Sequence, residues 1–489
     1  MDENRNVSRK KVINSLSWQM FNRAFSIVIN FAVQVVLARL IEPKDFGSLA
    51  IITTVTGFAG IFVEAGISTS IVQRKNIDES DIFTVLVISL FTASLAYFIL
   101  FVSAPLISDC YGVLNLTSPL RVLSISIFLN SINSVYTAVY IRNLEFKKLF
   151  IRSLVATPFS GAAGILLAFN NCGVWALVSS QLVNSFLTCI MLLCSSDVRL
   201  KCKFSFEKAR QIYSFGGKIL LSSVIASLYD TTRTMVIGLK YSGEDLAYYD
   251  RAYTYSMYVS QFINMSVSNV LLPLFSRKQD SRFELKNLSR RVTGLSSFCF
   301  FPLFMGLAGV AEPLIICVFG MKWRNLIPFF MVFCFLRMSG VVQNIDKQAF
   351  YSIGRSDIVL KYSAGSMILN LISLYIVLPY GVFAIALNRL AVELVAACWI
   401  MAISSKLTGY TVRNKFYDFR KPLINSMIMF LAVFLFSRVN IAKPLLLLMQ
   451  IVMGIIIYIG LSLLTRDDNI QYIFEIIKEI MKENAKKNE

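Results

Sequence analysis

The residues of this chain with chemistry to perform are the charged side chains lying inside runs that are otherwise apolar. The basic ones are Arg23, Arg233, Arg251, Arg337 and Arg389, joined by Lys347; the acidic ones are Glu64, Asp230, Asp346 and Glu393. A charge near mid-bilayer costs about 3 kcal/mol on insertion scales, so each needs a partner or a wet cavity. Asp230 and Arg233 stand three apart, and Arg389 and Glu393 four apart, so each pair can neutralise itself on its own helix. Arg23 and Arg337 have no acidic residue within a turn, and Glu64 no basic one. A guanidinium grips phosphate or carboxylate in a bidentate fork and keeps its charge at all working pH, which makes Arg23 the first candidate for holding an anionic substrate. Coupling to protons or another ion needs a titrating group, for which Glu64, Asp230, Asp346 and Glu393 are the candidates.

Uncharged polar residues extend the pattern. Gln19, Arg23, Ser26, Asn30 and Gln34 recur every three or four positions, a polar stripe on an apolar helix that should line a cavity. Asn130 stands in a similar series with Ser126, Asn133 and Thr137, and Asn264 in one with Ser268. The chain has no histidine, so imidazole catalysis, histidine metal sites and histidine proton relays are excluded. Its nine cysteines are irregularly spaced with no CxxC pair and read as small hydrophobes. No phosphate-binding glycine loop or paired-carboxylate constellation is found, so the sequence points to no enzyme, cofactor or metal.

The elements that must position these residues are membrane spans. Of 489 residues 56% are hydrophobic and 16% charged, with a mean hydropathy of +0.63, too apolar for a protein solvated by water alone. Apolar runs of about 20 residues or more, enough to cross the hydrocarbon, occur near 15–39, 46–72, 82–107, 120–141, 150–169 and 174–194; near 215–239, 247–275, 293–319, 326–351, 357–378 and 381–404; and near 421–439 and 444–464. These predict an all-α polytopic membrane protein of about 14 spans, organised as a first six-helix bundle (1–200), a second (201–405), two further spans (406–464) and a cytoplasmic amphipathic tail (465–489). In that tail Ile473, Phe474, Ile477, Ile480 and Met481 recur at helical spacing against lysines, as on a helix lying on the inner membrane surface.

The formal charge of +19 would suggest nucleic acid in a soluble protein; here the basic residues fall in short loops between spans. Of the 48 Lys and Arg, 34 lie on the side that includes both termini and 8 on the other, which places both termini in the cytoplasm and removes nucleic acid as a partner. The opening residues are polar and basic, and the apolar run behind them is too long for a cleaved signal. The stretch LARLIEPKDFGSLA aligns without gaps to IGLKYSGEDLAYYD at an offset of 200, so the halves read as a parallel duplication.

Trp18, LARLIEPKDFGSLA, FVEAGISTSIVQR, YYDRAY, VLLPLFSRKQ and FGMKWRNLIPFF, in this order, resemble the bacterial oligosaccharide flippases and polysaccharide exporters of the multidrug/oligosaccharidyl-lipid/polysaccharide superfamily, in the lipopolysaccharide-biosynthesis or colanic-acid-type branch. The resemblance implies two six-helix bundles plus two C-terminal helices around a central cavity open alternately to each side of the bacterial inner membrane. It implies flipping of undecaprenyl-pyrophosphate-linked oligosaccharide for O-antigen, capsule or exopolysaccharide assembly, with membrane lipids around it and the polymerase and chain-length machinery as candidate partners. The cations assigned to the substrate are then Arg23, Arg233 and Arg251, followed by Arg337 and Arg389. An exporter of drugs or organic cations is the alternative within the superfamily, and would favour an acidic, aromatic cavity. A membrane glycan polymerase or ligase is less favoured, because it would carry catalytic residues on a long outer loop and the longest here is near 108–119.

Overall fold

A computed structural model of the chain describes residues 2–64, 70–72, 77–113, 115–196, 204–279, 281–439 and 441–470, with the side chains of 2–16, most of 207–218 and 262–270 outside the described set. In chain order the helices are α1 (Asp2–Leu40), α2 (Pro43–Glu64), α3 (Glu79–Tyr111), α4 (Thr117–Ser124), α5 (Ser126–Arg142), α6 (Phe146–Phe169), α7 (Val174–Cys194), α8 (Phe206–Lys240) and α9 (Gly243–Ser276). They continue as α10 (Arg282–Gly309), α11 (Ala311–Phe319), a 3-10 turn (Met321–Leu326), α12 (Ile327–Ser352), α13 (Ser356–Val377), a 3-10 turn (Leu378–Tyr380), α14 (Val382–Thr408), α15 (Val412–Phe436) and α16 (Lys443–Leu464). Lipid offers no hydrogen bonds, so a backbone crossing it must satisfy itself within each helix, and strands are absent among the described residues.

Twelve helical stretches among the described residues are long and apolar enough to cross a membrane. The spans expected near 215–239 and 247–275 coincide with α8 and α9, some of whose side chains are outside the described set. The tail from Ile473 to Lys487 also lies outside it. Two spans expected as single rods are broken. The fourth divides at Ile125 into α4 and α5, where Ser124 Oγ donates to Leu120 O at 2.7 Å and competes locally for the backbone acceptor. The ninth divides at Val310, after which Pro313 stands in the first turn of α11.

Helix ends follow local chemistry. Asp81 accepts from the Asp78 N–H at 2.9 Å to start α3, and the Ser281 and Thr411 hydroxyls accept from Glu284 N and Asn414 N at 3.3 and 3.2 Å to start α10 and α15. Gly112 (φ 61°) and Gly409 (φ 74°) end α3 and α14 in the left-handed region open to glycine.

The chain forms two compact units, Met1–Asp250 and Arg251–Glu489. In the first, α6 packs on α1 and α7 and α5 packs on α3 and α7. Small residues allow the approach: Gly161 of α6 faces Val33 of α1, and a Cβ at Gly164 would come within 2.8 Å of Ser180 on α7. In the second, α10 packs on α15 and α12, and α12 on α14, around a cluster that includes Phe304, Met305, Met401, Phe419 and Val433. Polar contacts also fix α16: Gln450 donates to Val433 O at 2.8 Å, Tyr458 to Phe298 O at 2.7 Å, and Lys443 pairs with Glu312 at 2.9 Å.

Candidate functional site

The first unit holds two adjoining cavities whose walls are mostly hydroxyls and amides. One, of about 510 Å³, is lined by Thr53, Thr56, Glu64, Asn130, Gln181 and Ser185 among others, drawing on α2, α5 and α7. The second, of about 430 Å³, lies among α1, α6 and α7 and includes Ser26, Asn30, Gln34, Arg152, Asn184 and Thr188. Gln181 and Ser185 of α7 belong to both. Both volumes fall within the range of small-molecule sites.

The polar stripe on α1 is thus divided. Ser26, Asn30 and Gln34 line the second cavity, whereas Gln19 and Arg23 lie toward the N-terminus and are not part of its lining. Asn30 Nδ2 donates to Ser26 O at 2.7 Å. Asn22, one position before Arg23, accepts from the Ser153 hydroxyl and ties α1 to α6. Arg23 is exposed and engages no hydrogen bond or ion pair among the described residues.

Several side chains in these walls were not singled out by sequence, Arg152 and Asn184 among them. Arg152 stands only six residues into α6 and lines the second cavity. Its Nη1 donates to Thr137 Oγ1 at 3.3 Å. Asn184, on the face of α7 turned to α6, donates to Ser160 Oγ at 3.1 Å. The available signal was the spacing of Arg152, Ala156, Ser160 and Gly164 or of Gln181, Asn184 and Thr188, small or polar residues at helical steps.

The other predicted cations meet protein partners or are buried. Arg233 on α8 is 4% exposed in its side chain and bonds Asp230 Oδ1 at 2.7 Å, with its guanidinium 5.1 Å from the Tyr249 ring centre. Arg251 is buried on α9. Arg337 on α12 reaches α9, donating to Ser256 Oγ at 3.3 Å and Tyr253 O at 3.2 Å, with its guanidinium 4.4 Å from the Tyr253 ring centre. Arg389 is half-buried on α14. Glu393, four residues on, accepts from Gln343 Nε2 at 2.8 Å, and Gln343 Oε1 accepts from Tyr362 at 2.6 Å. The side chain of Asn264 lies outside the described residues.

Asp346 is the acidic candidate most enclosed by protein. Its Oδ1 accepts from Lys415 Nζ at 2.5 Å and Ser404 Oγ at 2.7 Å, joining α12, α14 and α15, and the two charged side chains are 5% and 1% exposed. Asp346, a coupling candidate by sequence, and Lys415, which precedes the last pair of spans read from sequence, both lie in the interior of the second unit. A Lys–Asp pair so enclosed answers the desolvation cost of each partner through the other.

Residues 36–328 match the family described as polysaccharide biosynthesis protein. The succinoglycan biosynthesis transport protein ExoT of Rhizobium meliloti (strain 1021) is 24% identical over 66% of this chain and 65% of its own length. The teichuronic acid biosynthesis protein TuaB of Bacillus subtilis (strain 168) is 23% identical over 81% of this chain and 80% of its own, and the lipopolysaccharide biosynthesis protein WzxC of Escherichia coli (strain K12) 23% over 73% of each. Among solved structures, the lipid II flippase MurJ in an inward closed conformation superimposes with a TM-score of 0.76 at 16% identity, over 92% of this chain and 99% of that one. An inward-facing multidrug resistance MATE family transporter of the MOP superfamily gives 0.62 at 14% identity, over 80% and 99%. At such identities the structural likeness establishes the fold: a multi-pass membrane protein of the transporter architecture shared by MurJ and the MATE proteins. With more than half its length matched, the chain belongs to the polysaccharide biosynthesis protein family.

Proposed function

We propose that this protein flips a lipid-pyrophosphate-linked oligosaccharide from the cytoplasmic to the outer leaflet of a bacterial inner membrane, by alternating access and with both termini in the cytoplasm. The observation that carries the reading is a pair of cavities rich in amides and hydroxyls, built into helices that otherwise meet lipid, in a chain of this family. Polar groups within spans are costly unless they serve a path or a partner. The named relatives take part in succinoglycan, teichuronic acid and lipopolysaccharide biosynthesis, and the first is a transport protein, which favours a glycan cargo over chemistry on the glycan. Arg23, exposed and held by no described side chain, is assigned to the pyrophosphate; Glu64, in the cavity wall, is the assigned coupling group.

Deleting the gene tests the reading. Lipid-linked repeat units should accumulate facing the cytoplasm, as shown by resistance to an enzyme added outside spheroplasts. Their arrival on the outer leaflet at the normal rate would reject it.

A further inference from the structure

We propose that the junction of α10, α15 and α16 binds one monovalent alkali cation, Na+ or K+, through the Asp467 carboxylate and the Ser297 and Ser426 hydroxyls. The bound ion fastens the turn after α16 to the two helices beneath it. The site lies wholly within the second unit, and its role is independent of the cargo.

The chain reverses where α16 stops. Arg466 (φ 47°) takes a left-handed conformation uncommon outside glycine, the Asp467 N–H donates to Ser462 O at 3.0 Å, and Lys421 Nζ donates to Arg466 O at 2.8 Å. Asn469 then lies against Gly294 of α10, where a Cβ would come within 2.8 Å of its Oδ1. One turn along α10, the Phe298 carbonyl accepts from Tyr458 of α16 at 2.7 Å. Ser297 falls between these two contacts, and the Tyr458 hydroxyl has Ser426, Ser462 and Asp467 as neighbours. At the same level Asn425 of α15 donates to Ser462 Oγ at 3.4 Å and Thr465 Oγ1 at 3.1 Å. Three helices thus bring one carboxylate and several hydroxyls together.

Their hydrogen bonds do not close. Asp467 is 1% exposed; its Oδ1 accepts from Asn469 N at 3.0 Å and Asn469 Nδ2 at 2.8 Å, whereas its Oδ2 is buried with no partner. No Lys or Arg among the described residues pairs with it, and Lys421 is engaged by the Arg466 carbonyl. Ser297 and Ser426, both fully buried, also leave their hydroxyls without a partner. A helical serine ordinarily can donate to the carbonyl three or four residues back, as Ser339 does to Leu336 O at 2.8 Å. Burying an unpaired carboxylate is costly, and a hard cation ligated by oxygens answers the charge and both hydroxyls together. One carboxylate sets the valence: a monovalent ion leaves the junction neutral, whereas a divalent ion would leave a positive charge buried. The all-oxygen donor set disfavours a transition metal.

The test follows thermal unfolding of the full chain in detergent at constant ionic strength, with Na+, K+ or the bulky N-methylglucamine cation as the chloride salt. Over N-methylglucamine, Na+, K+ or both should raise the midpoint saturably by at least about 3 °C, and the ion with the lower half-saturating concentration is the occupant. Asp467→Asn keeps an oxygen for the Asn469 amides but removes the charge, and should lose the rise. Ser426→Ala should increase the half-saturating concentration at least about tenfold. Ser339→Ala, whose hydroxyl is satisfied elsewhere, should leave it unchanged. Equal wild-type midpoints in all three salts overturn the proposal, as does a full rise retained in Asp467→Asn. Should Asp467→Asn not fold, a half-saturating concentration unchanged in Ser426→Ala overturns it instead.

Discussion

Gly47 and Gly243 meet backbone to backbone: a Cβ built on Gly47 would overlap the Gly243 carbonyl oxygen. The contact joins the two regions aligned at an offset of 200, since α1 ends at Leu40 and α2 starts at Pro43 while α8 ends at Lys240 and α9 starts at Gly243. These two turns therefore pack one against the other in the first unit. Gly47→Ala should lower stability by about 1–3 kcal/mol, because backbone cannot move aside as a flexible side chain does. Gly57→Ala on the same helix, with nothing within 4 Å of the added methyl, is the control. Thermal unfolding in detergent would decide, and equal midpoints for the two variants would refute the packing argument.

Lys415→Met leaves the Asp346 carboxylate in the interior with Ser404 as its remaining donor among the described residues. Removing one partner of a buried pair costs about 3–5 kcal/mol, whereas replacing both by apolar groups approaches neutrality. The double variant Asp346→Leu with Lys415→Met should therefore unfold at higher denaturant than Lys415→Met alone. Additive losses in the double-mutant cycle would show that the two side chains do not depend on each other.

Arg23→Ala should reduce glycan export at least tenfold with an unchanged melting temperature, since Arg23 is exposed and bonds to no described residue. Arg23→Lys should retain part of the activity, a point charge replacing a fork. Arg233→Ala should instead lower the melting temperature, because its buried guanidinium is committed to Asp230. Complementation of a deletion strain at matched protein levels separates the two; full export by Arg23→Ala would remove that residue from the mechanism.

Tyr410, in the loop before α15, is buried and donates to Asp418 Oδ2 at 2.8 Å. Burial first, then the Asp418 carboxylate, push its phenol above the ordinary value near 10. The unfolded chain releases this proton near pH 10 and the folded one does not, so the stabilisation is complete below pH 10 and declines as pH rises beyond it. Tyr410→Phe should flatten part of the loss of stability between about pH 10 and 11.5. A wild-type slope retained in the variant would assign that loss to other groups.

The helix spans were legible because lipid imposes one requirement, a long apolar run, that sequence displays directly. The breaks at Ile125 and Val310 were hidden because apolarity continues through them. The same rule that found the spans concealed Arg152 and Lys415. Counting basic residues by loop assigns any cation near a helix start to the water side, yet Arg152 turns inward to a cavity and Lys415 to Asp346. The α1 stripe was visible as a period, but its division between cavity-lining Asn30 and Gln34 and outlying Arg23 depends on where α6 packs, which Gly161 and Val33 determine across 128 residues of chain.

The Lys415–Asp346 pair also bears on the order of assembly during synthesis. Asp346 leaves the ribosome 69 residues before its cation. Until α15 arrives, α12 and α14 hold an acid that lipid disfavours and that lacks its lysine. Entry of Lys415 closes that interval. A chain that stops before α15 would leave the acid of α12 without the cation that answers it.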